Sequence, residues 1–361
     1  MKHILVLTRY ARNGASSRLR TYQYLDFFSK IKVPFAFTVK ALFNEKYLEN
    51  FYSHKKKSAI SIAWQYAKRF SYLLAHRDQF DLIWLERELF SYFPARFELW
   101  LMRKKPVVLD YDDAVFHNYD DHHFKIVRFF LGKKIDYIMQ NAHLVLVGNR
   151  YLANRAKAAG ARWIEEVPTV IDLSRYPLVL DMPENPVPII GWIGTPATQK
   201  FLKILEEPLA KLAQVKKFKL VAIGANSSLK LKGFDFEIWP WSEETEVSLL
   251  NKIDIGVMPL YDSLFEQGKC GYKLIQYMVC AKPVVATPVG VNKEIVDQDL
   301  NGFLAKDAEE WFDAFLILLN DSTKTKVFGA AGRVKVEHRY CLQETAPILL
   351  NLFERVLSCA E

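Results

Sequence analysis

Eight short apolar runs, four in each half of the chain, constrain the fold more than any other feature. They are Ile4–Leu7, Leu82–Leu85, Val107–Leu109 and Leu144–Val147, then Ile189–Ile193, Leu220–Ile223, Ile253–Met258 and Val284–Ala286. Each is β-branched or Leu-rich, and most are followed by Gly, Asn, Asp or Pro. A strand with one wet face alternates apolar and polar residues, whereas these runs are continuous. Continuous strands separated by helical patterns predict parallel sheets covered by helices on both faces, hence an α/β fold class. Ligands of such sheets bind beyond the carboxyl ends of the strands.

Tyr176 to Pro188 divides the two sets, with Pro177, Pro183, Pro186 and Pro188 in one short stretch. Proline at that density interrupts helices and central strands, so this is the expected linker between two Rossmann-like domains, residues 1–180 and 181–340, with a cleft between them. A chain of 361 residues suits two domains, and half its residues are apolar with a quarter charged, which excludes a disordered or collagen-like chain. Cys270, Cys280, Cys341 and Cys359 form no CxxC pair and no zinc-finger spacing. They read as thiols of a reducing compartment, and a cytoplasmic protein is expected. Ile4–Leu7 is too short for a signal-peptide core, and no run approaches the ~20 apolar residues of a membrane span.

Charge is uneven. Residues 1–180 carry a net +12 (29 basic, 17 acidic) and residues 181–361 a net −4 (20 basic, 24 acidic). The first half is therefore expected to meet something anionic. The densest stretch, Lys55-Lys56-Lys57, runs on into Ile60, Ile62, Trp64, Tyr66, Lys68, Arg69, Phe70, Tyr72 and Leu73. Interleaved cations and aromatics suit a peripheral contact with an anionic membrane, where rings sit at headgroup depth. An ordinary amphipathic helix with a solvated lysine edge fits equally well. No nucleic-acid-binding signature accompanies the charge, and no nucleic-acid partner is expected.

Four loops carry candidate chemistry. After the first run, Gly14, Ser16, Ser17, Arg18 and Arg20 open a helix: glycine permits a tight turn, a serine can cap, and arginines add charge. They are the candidate acceptor-binding residues, against the plainer reading of a capped helix with surface arginines. Asp110, Asp112 and Asp113 follow the Val107–Leu109 run. Three carboxylates there would repel one another, which raises a pKa or recruits hydroxyls or a cation. Nearby His117, His122 and His123 match no compact metal motif, so no metal is expected; a helix N-cap with surface acids is the other reading. Gly194 and Thr195 end a strand, with Lys200 following. Finally, Glu266, Gly268, Lys269, Cys270, Gly271, Tyr272, Lys273 and Gln276 combine glycine turns with two lysines four apart, suited to a diphosphate. No GxGxxG and no GxxxxGK[ST] occurs.

The last segment resembles the nucleotide-sugar motif of retaining glycosyltransferases of family 4, which have the GT-B fold. Gln276-Tyr277-Met278-Val279-Cys280-Ala281-Lys282-Pro283-Val284-Val285-Ala286 looks like its Glu-Ala-Met-Ala-Cys-Gly-x-Pro-Val-Val-Ala portion. Ile253–Pro259, Thr287–Val291 and Asn301–Leu304 resemble the flanking segments, so the likeness covers most of residues 189–320. It implies a GT-B enzyme with two Rossmann-like domains facing each other across a cleft, the C-terminal one holding the donor. Residues 341–361 are then expected as a closing helix that returns to the N-terminal domain. The departures are specific. The family's second Glu is Gln276, its first falls on Gly268 with Glu266 as a substitute, and its Arg-Lys pair becomes Thr195 and Lys200. Its N-domain His has no match, and Asp112 or Asp113 lies in that region.

The resemblance implies metal-independent transfer of a sugar, with retention, from a nucleoside diphosphate to a hydroxyl of a glycan or lipid-linked acceptor, as in bacterial cell-surface polysaccharide synthesis. The nucleotide sugar is a co-substrate, and no cofactor is implied. Donor binding is expected from Gly194, Thr195, Lys200, Glu266, Gly268, Lys269, Cys270, Gly271, Tyr272, Lys273 and Gln276. Asp112, Asp113, Lys200 and Lys273 are the candidate catalytic residues. The degraded signatures leave two other classes open: a non-catalytic GT-B partner subunit, and a nucleotide-sugar epimerase of the same fold.

Overall fold

The computed structural model describes residues 1–52, 59–179 and 185–360. Lys55, Lys56, Lys57 and Pro183 lie outside the described residues. The chain forms two compact units. The first comprises Met1–Thr169, Gly268–Cys270 and the end of the chain from Thr345; the second comprises Val170–Gln267 and Gly271–Glu344. The division thus falls at Thr169/Val170, ahead of the proline-rich stretch. Ile171 and Tyr176 belong to the core of the second unit, so the chain has changed units before the prolines begin.

In the first unit β1 (Lys2–Tyr10), β2 (Phe35–Phe43), β3 (Leu82–Glu86), β4 (Val107–Tyr111), β5 (Leu144–Val147) and β6 (Ile164–Glu166) form a parallel sheet of order β2-β1-β3-β4-β5-β6. In the second, β7 (Ile189–Ile193), β8 (Lys219–Ile223), β9 (Asp235–Trp239), β10 (Ile255–Met258), β11 (Val284–Ala286) and β12 (Gly302–Leu304) are ordered β12-β11-β10-β7-β8-β9, again parallel. All eight runs read from the sequence are strands. The four strands not foreseen, β2, β6, β9 and β12, are the four sheet edges. An edge strand has one neighbour and partial exposure, so its residues need not be continuously apolar.

Buried side chains fill both faces of each sheet. Leu5, Leu7, Ile83, Leu85, Leu109 and Val145 lie in one cluster of the first unit, and the second unit has two clusters. The last helix, Leu342–Ala360, packs with the first unit from Thr345 onward: Phe353 meets Trp84 at 5.2 Å and Phe35 at 6.2 Å between ring centroids. Helix Ala59–His76 forms as its pattern suggests, burying Gln65, Arg69 and Leu73 at four-residue spacing while Ile60 and Trp64 face solvent. Arg69 therefore leaves the basic surface expected of it. Its guanidinium donates to the carbonyls of Thr8 and Lys40, at 2.5 and 2.8 Å, and burial pushes its pKa down to about 9.

Candidate functional site

Each sheet reverses its direction of growth once. In the second unit the chain builds β7, β8 and β9 to one side and returns to lay β10 against β7. Loops leaving the carboxyl ends of two such neighbours part in opposite directions and open a crevice. The two segments concerned begin at Gly194, after β7, and at Pro259, after β10. The sequence-predicted donor residues are divided between them.

Helix Tyr272–Val279 starts from Gly271, whose φ of 66° is left-handed and favours glycine. No side chain caps this start and no acidic residue lies in the first turn, so its N–H groups present the positive end of the helix. Lys273, in that turn, holds its ammonium 5.8 Å from the Trp192 ring centroid. Trp192 is a buried residue of β7, and a Cβ on Gly194 would lie 2.4 Å from its ring carbons. Backbone at Gly194 thus passes directly against the indole that Lys273 covers. Thr198 closes the turn, accepting from the Thr195 N–H at 3.2 Å and donating to its carbonyl at 3.1 Å. Lys200 is exposed, 5.1 Å over its neighbour Phe201. A lysine, a helix start and a glycine-permitted backbone at a switch point suit a phosphate-bearing ligand.

The rest of the expected cradle is arranged otherwise. Gly268, Lys269 and Cys270 belong to the first unit. Asn149 donates to the carbonyls of Gly268 and Lys269, at 2.9 and 3.1 Å, and the Cys270 thiol donates to the Asp112 carbonyl at 3.0 Å. Lys269 lies 3.8 Å from Asp113, so its charge faces a carboxylate. Glu266 and Gln276 are both buried, and Glu266 accepts from the Ser263 hydroxyl. The helix that carries Lys273 begins at Tyr272, after the left-handed Gly271, so Lys269 lies outside it and the two lysines do not share a helix face.

In the first unit the reversal lies between β1 and β3. Gly14 is required by close approach, since a Cβ there would lie 2.3 Å from that of Tyr10. Ser16 and Ser17 cap no helix. Both hydroxyls donate to buried Glu86, at 2.8 and 2.5 Å, and the Arg9 N–H adds a third donor at 2.9 Å. A buried carboxylate needs such donors, and they outweigh the cap. Arg18 and Arg20 are likewise not surface arginines. Arg20, 2% exposed, reaches Asp110 Oδ1 through Nε and Nη2, at 2.9 and 2.7 Å, and the Val167 carbonyl through Nη1 at 2.7 Å. Burial opposes its charge, but Asp110 outweighs burial and raises its pKa.

The repulsion expected among three aspartates is answered by two arginines. Arg20 takes Asp110; Arg87 takes Asp112 at 2.8 Å and Asp113 at 3.2 Å. Arg87 has a φ of 63°, uncommon for a residue with a Cβ, which aims it across the end of β4. Burial works against its charge, and the aspartates raise its pKa in spite of it. His117 is held between Asp120 at 2.7 Å and Tyr151 at 2.8 Å, away from any shared centre with His122 and His123, which stack together at 4.3 Å. Sequence reasoning missed Glu86, Arg87, Asn149 and Trp192. The charged triplet Glu86-Arg87-Glu88 directly after an apolar run was the available signal.

Residues 187–321, which hold the whole second sheet, match the family described as glycosyl transferases group 1. This segment is similar to a group 1 glycosyltransferase domain. No curated protein matches the chain in sequence. Among solved structures it is similar to sucrose-phosphate synthase from Thermosynechococcus elongatus, with 14% identity, 99% of this chain and 100% of the other covered, and a TM-score of 0.73. HepE from Anabaena in complex with UDP-glucose gives 14%, 98%, 100% and 0.70. A glycosyltransferase from Rickettsia africae gives 14%, 99%, 99% and 0.70. The two six-stranded parallel sheets are thus those of the GT-B fold. Within the matched segment, Lys273, Gly194 and the start of helix Tyr272–Val279 stand at the strand reversal.

Proposed function

We propose that the protein is a retaining glycosyltransferase that moves a sugar from a nucleoside diphosphate to a hydroxyl of a glycan or lipid-linked acceptor in bacterial cell-surface polysaccharide synthesis. The observation that carries the donor half is Lys273 in the first turn of an uncapped helix, over the Trp192 ring against which Gly194 also lies. UDP-sugars are the first donors to test, because the similar HepE structure holds UDP-glucose.

Retention without a protein nucleophile places the incoming hydroxyl on the face that the diphosphate leaves, and the departing phosphate oxygen takes its proton. What remains for the protein is to stabilise the charge growing on that diphosphate. Lys273 and the first-turn N–H groups fill this role, with Lys200 as the exposed cation of the adjoining turn. Asp112 and Asp113 serve by fixing Arg87 rather than by proton transfer. The net positive first half supports an anionic acceptor.

A panel of nucleoside diphosphates and their sugars tests the reading by thermal shift, since a ligand of the native state raises the melting temperature. One nucleoside diphosphate should stand out, and Lys273→Ala should abolish its shift. A panel without any shift, or a shift unchanged in Lys273→Ala, would refute the donor site.

A further inference from the structure

Helix Lys125–Leu131 carries apolar residues on two of its sides. Val127 and Leu131, four apart, pack against the core of the first unit. Ile126, Phe129 and Phe130 occupy the other side, 66, 82 and 72% exposed, and Phe124, just before the helix, is 58% exposed. Lys125 and Arg128 take the remaining side of the helix, so cations edge the exposed apolar ridge as they do on an interfacial helix. Exposed apolar residues scattered singly need no explanation, but four large ones on one short segment do.

The surroundings say what covers them. From His122 to Ile135 the sequence holds Lys125, Arg128, Lys133 and Lys134 and no acidic residue. Lys125 and Lys133 are exposed, whereas Lys134 is buried against Glu88 and Glu98. An aromatic band continues from this helix. Phe124 meets His122 at 5.6 Å, His122 meets Tyr92 at 6.0 Å, and Phe93, next in sequence, meets Phe97 at 5.8 Å. Phe97 meets Trp100 at 6.1 Å, and Tyr92, Phe93 and Trp100 are all exposed. Behind the band lies an apolar groove of about 510 Å³ that includes Ile62, Tyr66, Phe70, Phe93 and Phe97.

We infer that this face of the first unit seats on an anionic lipid bilayer, with Ile126, Phe129 and Phe130 entering the acyl boundary and Lys125 and Lys133 meeting the headgroups. Aromatic rings at headgroup depth, cations beside them and an apolar ridge that goes deeper are the make-up of an interfacial anchor. A second copy is the poorer occupant. A two-fold contact would bring Lys125, Arg128 and Lys133 of both copies together, and a seven-residue helix offers little area for a stable dimer. The inference deepens the proposed lipid-linked acceptor but rests on different residues from the donor reading.

The experiment sediments the full chain with vesicles of phosphatidylcholine alone and with 30% phosphatidylglycerol, at ~50 and ~300 mM salt. The expected result is binding to the anionic vesicles, weakened by salt, and reduced at least tenfold in Phe129→Ser/Phe130→Ser. Phe129→Trp should shift its emission to the blue on binding and be quenched by brominated lipid. Absence of binding to anionic vesicles, or binding undiminished in the double variant, overturns the inference. So does a wild-type dimer that the double variant splits, which would make a second copy the occupant. The nucleotide-induced melting shift, measured on the same samples, reports separately on the donor site: its loss with vesicle binding retained refutes only that reading.

Discussion

The ammonium of Lys273 lies 5.8 Å from the centroid of the Trp192 ring, joining the first turn of one helix to the strand on the other side of the reversal in its sheet. The contact places a cation where a helix start already gathers N–H groups, and the indole limits where the long side chain can go.

Lys273→Ala is therefore expected to lower kcat/KM by on the order of 10², the cost of removing one group that stabilises charge in the transition state. Helix Tyr272–Val279 should remain, since alanine favours helix, so far-UV circular dichroism should be unchanged. Steady-state transfer or donor hydrolysis measures the first and the spectrum the second.

Arg87→Ala leaves Asp112 and Asp113 adjacent without their shared cation. Breaking such a largely buried pair should destabilise the first unit by about 2–4 kcal/mol. Adding Asp112→Asn should recover part of the loss, because one carboxylate no longer repels the other. Urea unfolding of both single variants and the double variant closes the cycle, and strictly additive effects would contradict the pairing.

Thiol chemistry should be confined to one residue. Burial pushes the Cys270 thiol up to about 12, and the Cys280 thiol to about 12, while Cys341 is buried and Cys359 exposed. At pH 8 neither raised thiol holds more than a trace of the reactive thiolate. Native protein should consume about one equivalent of a thiol reagent rapidly, at Cys359, and four only after denaturation. Raising the pH to 9 should leave Cys270 unmodified.

Glu98 makes stability depend on pH. Burial raises its carboxyl to about 7, against the pull of Lys134. The folded chain therefore keeps a proton that the unfolded chain, with an ordinary carboxyl, releases at about 4.3. Between those values the native state binds more protons, so stability falls as pH rises. Melting temperatures from pH 5 to pH 8 should decline in the wild type and decline less in Glu98→Gln.

The central strands and the motif of the C-terminal half were legible in the chain itself. A strand paired on both sides and covered on both faces is apolar along most of its length, and such runs are visible without coordinates. The edges β2, β6, β9 and β12 were not, because one free side relaxes that demand. Charged residues were legible as residue types but not as partners. Arg20 and Asp110 are 90 positions apart, Asp112 and Cys270 158, and no local pattern records a pairing across such separations. Gly268, Lys269 and Cys270 looked continuous with Lys273, yet the fold assigns them to the other unit. Amino-acid order determined which segments must be buried; only folding decided which buried charge each cation neutralises, since that depends on distances the chain acquires when segments far apart in sequence come together within a unit.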